Sequence, residues 1–147
     1  MAQNDPRHNA RIIVLQKLFE RSFHHSDISD DSSQEFSDDS LVEINELEAV
    51  DNEMVTVLFN GVLEHRDRID TIIAKLAPQW PLGQIAKSDL QILRIAVYEG
   101  FIGKITPEKV AIDEAIELSK EFAGEQSRKF INGVLGNLIV NKSDFDL

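Results

Sequence analysis

The chain has 147 residues, 42% hydrophobic and 28% charged, enough to bury one domain-sized core without covalent staples. It contains no cysteine, which excludes disulfides, thiolate nucleophiles and cysteine-ligated metal sites. The formal net charge of −11 is unfavourable for a nucleic-acid binder as a sum, but residues 27–53 hold eleven acids and no Lys or Arg, while the remaining fifteen acids are balanced by fifteen bases.

Asp5-Pro6 places a capping residue before a proline suited to a first helical turn, and Ile12, Leu15, Phe19 and Phe23 recur at helical spacing, predicting a helix to about His24. Ser26 to Ser40 is a run of serine and aspartate with two apolar residues, which is expected to form an acidic mobile loop over 26–40. A second helix is expected over Leu41–Val50. Val55, Leu58, Val62, Ile69, Ile72, Ile73 and Leu76 then mark a long helical pattern to Ala77, bent near His65–Asp67. Pro78-Gln79-Trp80-Pro81-Leu82-Gly83 is a break, expected to join an N-terminal helical half (about 5–77) to a C-terminal one (about 84–141) within one domain.

Ser88 and Gln91 have capping-box spacing and predict a helix to about Phe101, apolar on nearly every side and therefore buried, with Arg94 and Glu99 in need of partners. Thr106-Pro107 is expected to cap and open the next helix, which Ala123-Gly124 ends. Its apolar arc is Ala111, Ile112, Ala115, Ile116, Leu118 and Phe122, opposite Lys109, Asp113, Glu117 and Lys120. A last helix from about Gln126 to Val140 is expected to bury Ile131, Val134, Leu135, Leu138 and Ile139. No stretch alternates with strand periodicity, so the fold class is all-α: a bundle of six to seven helices in two helical subdomains. No segment has the length and apolarity of a membrane span or a signal peptide, so a soluble, cytoplasmic chain without membrane contact is expected.

The sequence has no glycine-rich phosphate loop, no His-Glu-x-x-His pair and no nucleophile elbow, so it does not read as an enzyme, and no cofactor is expected. No metal site is expected either. Adjacent His24 and His25 diverge on a helix, and the aspartates of 27–39 lack the ligand order of a calcium loop. What remains is a small basic and aromatic constellation. Arg7 and Arg11 are four apart on the first helix, with His8 and Asn9 beside them, in a position to contact phosphates or bases. On the last helix Phe130 lies at the border of the apolar arc, with Gln126, Gly133 and Asn137 on its open side and Arg128-Lys129 just before it. An aromatic so placed can stack an unpaired base.

The strings DLQILRIAVYEGF and TPEKVAIDEAIELSKEFAGEQSRKFINGVLGNLI resemble the C-terminal half of the NusB family of transcription antitermination factors, and RHNARIIVLQKLF resembles that family's first helix. The likeness runs from Arg7 to about Ile139 and is poorest over 26–53. It implies a NusB-like all-α fold and binding to boxA leader RNA, jointly with the small-subunit ribosomal protein NusE, within an antitermination complex on RNA polymerase that supports ribosomal RNA transcription. It also implies RNA-binding positions at Arg7, His8, Asn9 and Arg11, with Gln126 and Phe130 near the RNA and Phe19 and Asp89 facing the ribosomal-protein partner. Only two of the four N-terminal positions are arginine, where relatives often have more. Two other readings stay open: a protein-binding adaptor with weak or lost RNA binding, and a NusB-like targeting domain of an RNA methyltransferase. The acidic segment 27–53 has no counterpart in the resemblance and is expected to compete with RNA for the basic face or to repel non-specific RNA.

Overall fold

A computed structural model describes residues 5–24 and 49–147. Its first helix, α1 (Pro6–His24), begins as the sequence predicts. The Asp5 carboxylate accepts from the backbone N–H of Arg7 at 3.0 Å and of His8 at 3.3 Å, satisfying donors that the first turn leaves open. Asp51 repeats the device at the start of α2 (Asn52–Glu64), accepting from the Met54 N–H at 3.0 Å. The expected loop 26–40 lies outside the described residues. So does most of the helix expected over Leu41–Val50, whose last two residues, Ala49 and Val50, are not helical.

Six α-helices and no strand occur among the described residues. The long middle pattern resolves into two helices, α2 and α3 (Arg66–Leu76), separated at His65. After a turn at 78–80 and a short 3₁₀ segment, Leu82–Gln84, come α4 (Lys87–Ala96), α5 (Glu108–Phe122) and α6 (Glu125–Val140). The chain groups into two compact units, residues 1–60 and 61–147. The boundary falls inside α2, so α3 belongs with the C-terminal helices and not, as expected, with the N-terminal half.

Within residues 1–60, α1 and the start of α2 are tied by the Asp51 N–H to the Pro6 carbonyl at 3.1 Å and by the Asn9 Nδ2 to the Ala49 carbonyl at 2.7 Å. Ala10, Ile12, Ile13, Val14, Leu15 and Leu18 are buried on α1, whereas Phe19 and Phe23 are exposed. They stack edge to face, with centroids 4.9 Å apart.

Within residues 61–147, α4 is the central element. Every residue from Asp89 to Val97 is buried, as expected of a helix that is apolar all round. The two charges expected to need partners, Arg94 on α4 and Glu99 just beyond it, find them. Arg94 donates from Nε and Nη2 to the Asp70 carboxylate on α3, at 2.9 and 2.8 Å, and from Nη1 to Gln91 at 3.3 Å. Past Ala96 the helix widens into a π-turn, Val97–Ile102. There the Glu99 carbonyl accepts from the Ile105 and Thr106 N–H groups, and the Thr106 hydroxyl donates to the Glu99 carboxylate at 2.6 Å.

Several local expectations are corrected. The Ser88–Gln91 capping box does not form: α4 starts two residues earlier, with Ala86 in place of Ser88 at the N-cap, and no side chain caps it. Thr106 does not cap α5: Pro107 stands at the N-cap without a side-chain cap, and the Thr106 hydroxyl donates instead to Glu99. Gly124 is extended, at φ −169°, and serves as the N-cap of α6. Phe122 and Ile139, assigned to apolar arcs, are exposed at the ends of their helices. The charged face of α5 is exposed as expected. No helix among the described residues is long and apolar enough to cross a membrane.

Candidate nucleic-acid interface

The residues singled out from the sequence fall in two places. On α1, Arg7 is exposed, but His8, Asn9 and Arg11 are buried, Arg11 to 2% exposure. The spacing that puts Arg7 and Arg11 on one helix face therefore does not give them equal access to solvent. Phe19 and Phe23 form an exposed aromatic pair two turns further along the helix.

The second place is a groove of about 200 Å³ in the 61–147 unit, lined by Trp80, Gln84, Ile85, Ala86, Asp89, Gln126, Ser127 and Phe130. Its first wall is the connection between α3 and α4. Pro78 and Pro81 interrupt the helical chain, the Gln84 N–H closes the 3₁₀ turn on the Pro81 carbonyl at 2.7 Å, and Ile85 is extended and buried. This anchoring leaves Trp80 half exposed, at 50%. The opposite wall is the beginning of α6, where Gln126 is exposed and Phe130 half-buried, while Ile131, Val134, Leu135 and Leu138 hold the helix to the core.

Asp89, in the first turn of α4, joins the two walls. Its Oδ2 accepts from the Ser127 hydroxyl at 3.0 Å. Its Oδ1 is buried and has no hydrogen-bond partner among the described residues. Burial pushes the Asp89 carboxyl above the ordinary carboxylate value, the Ser127 hydrogen bond opposing in part. The groove thus combines two aromatic faces, an amide, a hydroxyl and a carboxylate with acceptor capacity to spare.

Three residues from the sequence reading, Asp89, Gln126 and Phe130, are brought together here although Asp89 was assigned to a different ligand. Arg128 and Lys129 lie on the same helical turn but do not line the groove; Arg128 is paired with Glu125 and Lys129 is exposed. Trp80 and Ser127 were missed. Trp80 was read as part of a linker, although a large aromatic in a proline-flanked turn is itself a signal for a surface platform. Ser127 could have been found four residues before Ile131, on the inner face of α6. No group of three or more potential metal ligands occurs among the described residues.

A profile of the NusB family matches residues 8–140, most of the chain. The chain belongs to the NusB family. It is 38% identical to the transcription antitermination protein NusB of Clostridium acetobutylicum over 133 residues, covering 90% of this chain and 94% of that one. It is likewise 38% identical to the NusB of Chloroflexus aggregans over 135 residues, 90% of this chain and 86% of the other. Among solved structures, T. maritima NusB aligns over 98% of this chain and 99% of its own, with a TM-score of 0.73 at 29% identity. A structure of the antitermination factors NusB and NusE in complex with double-stranded RNA shares the fold, with a TM-score of 0.70 at 23% identity over 88% of this chain and 92% of that one. These matches agree with the resemblance read from the helical strings and with the all-α fold.

Proposed function

We propose that this member of the NusB family is a non-enzymatic transcription antitermination factor that binds boxA leader RNA together with the ribosomal protein NusE, as part of an antitermination complex on RNA polymerase in the cytoplasm. Family membership over residues 8–140 is the observation that carries the reading. It is supported by the fold shared with a NusB–NusE–RNA complex and, in each unit separately, by a feature suited to single strands: exposed Arg7 on α1 in residues 1–60, and the Trp80–Phe130 groove beside Arg128 and Lys129 in residues 61–147. The buried state of His8, Asn9 and Arg11 gives them the role of shaping α1, and leaves Arg7 as the residue of that group able to meet phosphate directly. The exposed Phe19–Phe23 pair is apolar and offers a protein partner the aromatic contact that interfaces favour. Phe19 and Asp89 are assigned to the ribosomal-protein partner, and Asp89 also lines the groove.

With few accessible cations at the residues assigned to RNA, affinity should be modest on the protein alone, with a shallow salt dependence, and should rise when NusE is added. Titrating labelled boxA RNA with the protein, with and without NusE, tests this. Arg7→Ala should weaken binding several-fold at low salt while leaving the melting temperature near wild type. Unchanged affinity in that variant would remove Arg7 from the interface, and no RNA binding even with NusE present would overturn the RNA-binding reading.

A further inference from the structure

We propose that the Ser127–Asp89 hydrogen bond is the link through which NusE and RNA raise each other's affinity. A donor from NusE on the second Asp89 oxygen fixes the carboxylate, and the carboxylate, through Ser127, fixes the opening turns of α6 that carry Gln126 and Phe130. The inference rests on the reading above, which gives Asp89 to NusE and the groove face of α6 to RNA, and adds to it how the two ligands communicate. Ser127 is thereby a positioning residue that acts through Asp89.

Three observations carry this. First, residues assigned to different ligands meet at one hydrogen bond. Asp89, in the first turn of α4, accepts from the Ser127 hydroxyl at 3.0 Å across 38 positions of chain, and Ser127 directly follows Gln126 on α6. Second, the Asp89 end of the link is incompletely held. Its Oδ2 has Ser127, whereas the buried Oδ1 has no hydrogen-bond partner among the described residues. Buried acceptors are almost always paired, so this oxygen is short of a donor. Burial disfavours the charged carboxyl, and the Ser127 hydroxyl offsets that only in part. An N–H brought by a protein partner completes the set, and a carboxylate gripped through both oxygens holds the Ser127 hydroxyl in a narrower geometry. Third, the α6 end is lightly held. The N-cap, Gly124, supplies no side-chain cap, residues 121–126 are all exposed, and the first fully buried side chain of the helix is Ile131. The Glu125–Arg128 ion pair joins two residues of α6 itself. Open N–H groups and solvent on the outer face leave such a helix start ready to fray, and the Ser127 hydroxyl ties it to α4. Ordering these turns costs conformational entropy, which the first ligand to bind has already met for the second. The coupling is reciprocal: RNA tightens NusE binding by the factor by which NusE tightens RNA binding.

The full-length protein is titrated with labelled boxA RNA with and without saturating NusE, and with NusE with and without saturating RNA. The ratio of the two affinities, the gain, cancels any loss common to both conditions. Ser127→Ala should cut the gain by about three- to tenfold in both directions, the net worth of one hydrogen bond, with the fold intact by circular dichroism. Ser127→Thr, which keeps the hydroxyl, should restore it. Backbone amide exchange reads the link without RNA: NusE should slow exchange at Arg128 and Lys129 several-fold in wild type and leave it unchanged in Ser127→Ala. A gain equal in wild type and Ser127→Ala would place the coupling in RNA contacts made by NusE itself and overturn the proposal, leaving RNA and NusE binding in place. Equal slowing of exchange in the two proteins would show that NusE covers the turn directly, and would overturn it as well. Absence of RNA binding even with NusE present would instead overturn the RNA-binding reading on which the proposal rests.

Discussion

Asp70→Ala should be among the most damaging single substitutions in this protein, and the reason lies in Arg94. The guanidinium is 1% exposed and the Asp70 side chain 10%, so the pair sits where water cannot replace a lost partner. Two parallel hydrogen bonds, at 2.9 and 2.8 Å, hold the guanidinium fork against the carboxylate across α3 and α4. Removing Asp70 leaves a cation buried beside Gln91, whose 3.3 Å contact is neutral and longer. Breaking a buried pair from one side costs about 3–5 kcal/mol, against a total stability on the order of 10 kcal/mol for a chain of this length. At roughly 2–4 °C per kcal/mol, the melting temperature should fall by about 6–20 °C. Thermal unfolding followed by circular dichroism, with urea denaturation for the free energy, measures both. The double variant Asp70→Leu/Arg94→Met should recover most of the loss, because the main penalty is the orphaned charge and not the missing attraction. A loss below about 1 kcal/mol for Asp70→Ala, or a double variant no better than the single one, would refute this account.

Two glycine substitutions should act in opposite directions. A Cβ on Gly61 would collide with the Tyr98 ring, which also approaches Gly103 and packs on His65 with centroids 5.4 Å apart, so the ring must shift from these contacts and Gly61→Ala should destabilise. Gly133 has nothing within 4 Å of a Cβ, so Gly133→Ala should stabilise α6 by about 0.5–1 kcal/mol; urea midpoints for the two variants settle both signs. Thr106→Val should cost about 1–3 kcal/mol by leaving the buried Glu99 carboxylate without the hydroxyl that donates to it at 2.6 Å, read as a shifted urea midpoint at unchanged slope. Asp89 binds its proton more tightly in the folded state than in the unfolded chain, because burial raises its pKa. Its contribution therefore favours the fold in acid and is lost as the pH rises through the folded-state pKa. Asp89→Asn should raise the melting temperature at pH 7, and the advantage should shrink as the pH falls toward about 4; a difference independent of pH would refute the assignment.

What could be read from the chain alone follows from how local each signal is. Helix periodicity, the Asp5-Pro6 start and the break at Pro78–Pro81 depend on neighbours in sequence, and the helices of the described residues stand close to where those signals put them. All-round apolarity from Leu90 to Phe101 was enough to place α4 at the centre and to require partners for Arg94 and Glu99. It could not say that the partners would be Asp70 and Thr106, because that depends on which helices pack against one another. The capping assignment at Thr106 failed because its hydroxyl is oriented by another side chain, Glu99, to which it donates, and the one at Ser88 because the helix begins before it.

The candidate site divides along the same line. The NusB-family strings, the all-α class and the aromatic border at Phe130 are properties of sequence order and helical angle, and the sequence by itself determined them. Access to solvent is not such a property. Arg7 and Arg11 share a face, yet one is exposed and the other 2% exposed, because burial depends on what the rest of the fold lays over each position. Only the tertiary structure could bring Phe130, which α5 and two loops separate from α4, to one groove with Trp80 and Asp89. Only burial among them could leave a carboxylate oxygen short of a donor.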